Sequence, residues 1–181
     1  MSIDKNKLLN SIFFPRKSSF PKDENDHMVK VDSNNYVGIR TFINSNKSPN
    51  ILFFHGNGEI AREYDDIASY YNEYGINLIV SDYRGYGLSS GSPSKDNIHL
   101  DSIKVYDYFE RYLSENNLSG NKIIMGRSLG SASAAHIISQ RFSGIDGCII
   151  ESGFATEIPL LKLMNIDPDS IGFRLKDGFD N

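Results

Sequence analysis

The segment Gly126-Arg127-Ser128-Leu129-Gly130 sets a serine between two glycines, each two residues away. A serine hydroxyl is a weak nucleophile unless its surroundings activate it, and its usual chemistry is attack on an acyl carbonyl. That attack needs an exposed hydroxyl, backbone N–H groups aimed at the developing oxyanion, and a base to take the proton. The Gly-x-Ser-x-Gly pattern alone is weakly specific, because the chain contains a second copy, Gly87-Leu88-Ser89-Ser90-Gly91. Context separates the two. Ser128 directly follows the apolar run Lys122–Met125 and directly precedes a helical pattern with Leu129, Ala132, Ala134, Ala135, Ile137 and Ile138. Ser89 follows a polar loop and leads into Ser92-Pro93, where no helix can yet run. A strand–serine–helix turn holds the serine in a strained positive-φ conformation and presents a helix N-terminus to negative charge. Gly126 and Gly130 are then required because backbone passes too close for a Cβ.

The elements that must position Ser128 are legible from periodicity. Ile51–Phe54, Ile76–Val80, Lys122–Met125 and Cys148–Ile150 are short continuous apolar runs. Between them, Glu59–Tyr74, Asn97–Leu113 and Leu129–Arg141 carry apolar residues at helical spacing. Continuous apolar strands alternating with amphipathic helices specify an α/β fold with a doubly wound, mostly parallel sheet. Ahead of this unit, Met28–Asp32 and Tyr36–Ile43 flank Ser33-Asn34-Asn35 as a hairpin. The chain divides into an N-terminal strap and surface loop over residues 1–27 and an α/β domain over 28–181. Ile12-Phe13-Phe14-Pro15 reads as a strap over the core. After Ala155, Ile158, Leu160, Leu161, Leu163 and Met164, then Ile171, Phe173 and Leu175, read as a lid-like pair of short helices.

In such sheets ligand-binding groups collect in the loops at the carboxyl ends of the strands. Those loops are Gly56-Asn57-Gly58, Asp82–Gly91, Gly126–Gly130 and Glu151-Ser152-Gly153. The oxyanion donors expected are the backbone N–H of Leu129 and that of Asn57, with Gly56 and Gly58 allowing close approach. His55 is expected to tie that loop down rather than to act in the chemistry.

His55-Gly56-Asn57-Gly58, Asp82-Tyr83-Arg84-Gly85-Tyr86-Gly87-Leu88-Ser89-Ser90-Gly91, Gly126–Ser131 and Glu151-Ser152-Gly153-Phe154 together resemble the α/β-hydrolases. The nearest branch is that of serine-aminopeptidase-like and depalmitoylase-like hydrolases, over roughly residues 28–181. The resemblance implies a Ser–Asp–His triad, an acyl-enzyme on Ser128 formed from an ester, thioester or amide, and no cofactor. It also implies that Asp82 and Arg84 order the loop beneath the site without entering the chemistry.

The triad is incomplete. His136 is the single histidine after Ser128, eight residues along the same helix and about 12 Å farther along its axis, too far to take the serine's proton. It reads as a packing or surface histidine. His27 and His99 read as lying in polar segments outside the strand ends. Asp167, Asp169, Asp177 and Asp180 follow no apolar strand, and Glu151 is an alternative acid at a strand end. The expectation is an α/β-hydrolase fold lacking its last two βα units, whose acid and base come from a missing C-terminal segment or a partner chain. Two other readings stay open: a complete, non-catalytic binding module derived from a hydrolase, and a flavodoxin-like nucleotide-binding domain. Against the latter, the turn lacks the Lys-Ser/Thr of a P-loop and the spacing of Gly-x-Gly-x-x-Gly.

Composition sets the remaining bounds. The 181 residues carry 39% hydrophobic and 23% charged side chains with a net charge of −4. A chain of this length buries about 70% of its surface without staples. Charges are mixed along the chain, so no nucleic-acid footprint is indicated. One cysteine, Cys148, excludes an internal disulfide and a cysteine-rich zinc cage, and no metal site is expected. No apolar run reaches the ~20 residues of a membrane span, and no secretory h-region is present. A cytoplasmic protein acting on a small acyl substrate is the expectation.

Overall fold

A computed structural model describes residues 12–141, 143–163, 165–174 and 177–179. Residues 1–11 of the expected strap, Met164, Leu175, Asp180 and the side chains of Leu160 and Leu163 lie outside the described residues. Six strands form one sheet: β1 Asp26–Lys30, β2 Tyr36–Phe42, β3 Asn50–Phe54, β4 Asn77–Ser81, β5 Lys122–Arg127 and β6 Gly147–Glu151. Their spatial order is β1-β2-β4-β3-β5-β6. β1 and β2 form the expected antiparallel hairpin, β2 runs antiparallel to β4, and β4, β3, β5 and β6 are mutually parallel. The helices are α1 Asp65–Glu73, α2 Lys95–Glu115, α3 Gly130–Arg141 and α4 Ile158–Leu163.

The strands bury both faces because their side chains alternate. Leu52 and Phe54 of β3, Ile79 of β4 and Ile124 of β5 point to one side, where α2 and α3 contribute Ile98, Val105, Phe109, Ala132, Ala134 and Ile137. Ile51 and Phe53, Leu78 and Val80, and Met125 point to the other side, against Ala61, Tyr64 and Ala68. Each fully buried aliphatic side chain here contributes about 1.5–3 kcal/mol. The two clusters make the architecture helix–sheet–helix, as the continuous apolar runs require.

Several boundaries differ from expectation. The segment Glu59–Tyr74 is not one helix: a 3-10 turn at Ala61–Tyr64 precedes α1. It starts there because the Ala61 N–H is taken by the Asp82 carboxylate at 2.9 Å. Helix α2 starts two residues before Asn97, where Ser94 caps it by accepting the Asn97 N–H. Strand β1 starts two residues before Met28, because Asp26 pairs with the buried Arg40. Among the described residues the tail holds one short α-helix, α4, rather than the expected pair. Around Ile171 and Phe173 the described residues form turns that pack on Leu161.

β6 is the sheet edge, and its apolar side chains are open: Ile149 is 42% and Ile150 49% exposed. They lie on opposite faces of the strand. Among the described residues, no helix is long and apolar enough to cross a membrane.

Candidate active site

Ser128 stands at the carboxyl end of β5, immediately before α3, with φ +49° and its side chain exposed. The turn is held from three directions. The Ser128 N–H donates to the Glu151 carbonyl at 2.9 Å, tying it to β6. The Ser128 carbonyl accepts from the Ser131 N–H at 3.0 Å and from Ser131 Oγ at 2.7 Å. Leu129 buries its side chain in the core beneath. The flanking glycines are required as expected: a Cβ on Gly126 would stand 2.3 Å from the Gly130 carbonyl oxygen. The hydroxyl therefore projects outward while its backbone has no room to relax. Among the described residues, neither the Ser128 hydroxyl nor the Leu129 N–H makes a hydrogen bond.

The second serine, Ser89, is buried, and its Oγ accepts the Gly38 N–H at 2.9 Å. That is a structural bond between the β4 loop and β2, and of the two copies only Ser128 stands on a strand-to-helix turn.

The β3 loop carries the other expected donor. Gly56 donates its N–H to Glu59 Oε2 at 3.0 Å, and Gly58 takes a positive φ of +80°. His55 is fully buried. Its Nδ1–H donates to the Gly56 carbonyl at 2.8 Å, and its Nε2 faces Asp82 Oδ1 at 3.1 Å. Both ring nitrogens are occupied, and His55 thereby links the Gly56 carbonyl to Asp82. Asp82 links that histidine to the Ala61 N–H, while Arg84 pairs with Asp101 at 2.7 Å and Asp32 at 2.6 Å. Both fasten the start of the loop after β4 to neighbouring elements. The Asn34 N–H, the Asn35 side-chain amide and then the Arg84 guanidinium hold the Asp32 carboxyl well below the usual range.

The remaining histidines are placed by packing. His27 does not lie outside the strands: it is the second residue of β1, with its ring against Tyr108 and Tyr112 of α2. His99 lies within α2, inside the helical span expected from Asn97 to Leu113. His136 of α3 stacks on it, centroids 4.6 Å apart and planes 9° off parallel. Burial first, and then the neighbouring imidazole, lowers the His99 pKa to about 4. Burial also lowers His136. Among the described residues no histidine hydrogen-bonds to Ser128. Glu151 is exposed at the end of β6, and its carboxylate leans on Arg127 at 3.6 Å.

Sequence reasoning missed the charge row at the mouth of the site. Arg127, beside Ser128, lies between Glu151 and Glu59 (3.4 Å), and Glu59 also accepts the Tyr64 hydroxyl at 2.6 Å. Burial and the Glu59 carboxylate push the Tyr64 hydroxyl far above the usual phenol range. The row joins the loops after β3, β5 and β6. Its one sequence signal was that all three charges sit next to strand-end motifs.

The comparisons agree with this geometry. The profile of the serine aminopeptidase S33 family (Hydrolase_4) matches residues 45–165. The uncharacterized membrane protein YNL320W of Saccharomyces cerevisiae is 34% identical over 113 residues, 61% of this chain and 39% of that protein. The lysophosphatidylserine lipase ABHD12 of Xenopus tropicalis is 31% identical over 142 residues, 75% of this chain and 35% of that protein. The chain thus spans less than two-fifths of the length of these curated relatives. Est1E from Butyrivibrio proteoclasticus, solved with ferulic acid bound, shares the fold with a TM-score of 0.60 at 18% identity, over 76% of this chain and 56% of that one. The strand-end serine turn, the glycine-flanked loop facing it and these likenesses converge: the chain belongs to the serine aminopeptidase S33 family of α/β-hydrolases.

Proposed function

We propose that Ser128 attacks the acyl carbonyl of an ester, thioester or amide and carries the acyl group as an enzyme-bound intermediate. The observation that carries this reading is the exposed Ser128 at positive φ, ahead of a helix N-terminus. The N–H groups of Leu129 and Asn57 would hold the oxyanion, each contributing about 3–4 kcal/mol to the barrier. The charge developing there also meets the positive end of α3. An ester substrate is favoured among the three, since the ABHD12 relatives are lipases.

Attack needs a base, and the four histidines of the chain are held elsewhere. The base and the acid that orients it would come from polypeptide outside the 181 residues, as a further segment or a partner chain. The open apolar faces of β6 support this reading, because an added strand with helices on both sides would cover Ile149 and Ile150 together. The 181-residue chain alone would then show little or no turnover.

The test is fluorophosphonate labelling of the natural full-length polypeptide that contains this chain. Labelling lost in Ser128→Ala supports the reading. Absence of labelling together with tight nucleotide binding overturns it.

A further inference from the structure

The Asn57 side chain is used entirely on residues far away in sequence. Its Nδ2 donates to the Ile12 carbonyl at 2.6 Å, and its Oδ1 accepts the Phe14 N–H at 3.0 Å. The Tyr86 hydroxyl donates to the same Oδ1 at 2.7 Å and accepts from the Phe14 N–H at 3.0 Å. Arg16 Nη1 donates to the Gly58 carbonyl at 2.8 Å, while its Nη2 pairs with Glu63 at 2.6 Å. The Gly87 N–H then donates to the Arg16 carbonyl at 2.8 Å. Residues 12–16 therefore join the loop after β3 to the loop after β4, with Ile12 and Phe13 buried beneath as anchors. Chemistry fixes the orientation of the amide: the Ile12 carbonyl can only accept, and the Phe14 N–H can only donate.

The Asn57 backbone N–H, by contrast, makes no hydrogen bond among the described residues. A loop with glycine on either side has little side-chain packing of its own to hold such a group. An oxyanion donor must stay within 2.7–3.1 Å of the charge it meets. We propose that the Asn57 side chain and residues 12–16 form the positioning device for the Asn57 N–H. The side chain clips to the strap, the strap fixes the loop, and the N–H of the same residue is left to the substrate. This rests on the acyl-transfer reading of Ser128. It makes the strap part of the catalytic machinery rather than a cover for the core.

The test is p-nitrophenyl butyrate turnover by the natural full-length polypeptide, with Ser128→Ala alongside. Asn57→Ala keeps the backbone donor and removes the clip; it is expected to lower kcat about 10–100-fold with KM within about twofold. Arg16→Ala changes an exposed side chain and is expected to lower kcat about threefold in the same direction, which decides the matter if Asn57→Ala fails to fold. Phe14→Pro deletes the donating N–H, and combined with Asn57→Ala it is expected to cost no more than the larger single effect. Unchanged kcat in both Asn57→Ala and Arg16→Ala, with Ser128→Ala inactive, overturns the clip and leaves the acyl-transfer reading standing. A rise in KM at constant kcat overturns it too. Turnover surviving in Ser128→Ala, or a wild type that neither turns over the ester nor takes up a fluorophosphonate, overturns the underlying reading instead.

Discussion

The carbonyl oxygen of Phe54, the last residue of β3, lies 2.0 Å from the point that a Cβ on Gly130 would occupy. Helix α3 thus starts against the backbone of β3, and this close approach brings the serine turn and the Gly56–Gly58 loop side by side.

Gly130→Ala puts a methyl group into that carbonyl, and neither backbone can yield without disturbing β3 or α3. The expected loss is about 2–3 kcal/mol of stability. Urea denaturation of the 181-residue chain measures it, and a loss below about 0.5 kcal/mol would mean the helix can slide away.

Ser128 holds φ +49° without being glycine. Ser128→Gly relieves strain of about 1–2 kcal/mol and loosens the unfolded chain by somewhat less. The folded state is expected to gain about 0.5–1 kcal/mol while fluorophosphonate labelling of the full-length polypeptide disappears. A destabilised Ser128→Gly would show that the hydroxyl serves the fold.

Ser89→Ala separates the two serines in the opposite sense. It strips the acceptor from the buried Gly38 N–H, so stability should fall by about 1–3 kcal/mol. Labelling of the folded full-length polypeptide should stay unchanged, and loss of labelling at full folding would place Ser89 in the chemistry.

Arg40 is buried with Asp23 and Asp26, both 2.8 Å from its Nη1, and with Asp65 on Nε at 2.5 Å. These carboxylates raise its pKa further. They bind the β1–β2 hairpin to the start of α1. Arg40→Ala leaves the partly buried carboxylates facing one another, and the expected cost is about 3–5 kcal/mol. Arg40→Met, which fills the volume but not the charge, should show a similar loss. A near-neutral result would mean that solvent reaches the cluster.

The His99–His136 stack gives a pH dependence. A folded pKa lowered to about 4 means that the unfolded chain binds the proton more readily between pH 4 and 6.5. The contribution is fully present above pH 6.5 and is lost as pH falls toward 4. The rings are only partly buried, so solvent screening trims the effect to on the order of 1 kcal/mol. The acid limb of stability should be shallower in His99→Phe than in wild type, by urea midpoints at pH 4.5 and 7. Parallel limbs would mean that carboxylates such as Asp23, held below its usual range by Arg40, account for the whole acid loss.

The sequence by itself determined the α/β class, the alternation of buried strands with helices, and which of two Gly-x-Ser-x-Gly segments turns from strand into helix. Those signals are local: periods of 2 and 3.6 residues, and glycines two positions from a serine, act within one element and its neighbour. Tertiary structure alone decided the ring contacts of His27, the His99–His136 stack, the gathering of Asp23, Asp26 and Asp65 on Arg40, the Glu59–Arg127–Glu151 row and the strap on Asn57. Each joins residues from separate elements, and Asn57 meets Ile12 and Phe14 across 45 and 43 residues. Polar side chains at such separations carry no periodicity. Their partners are set by how closely the strand-end loops pack, which depends on the whole sheet being in place.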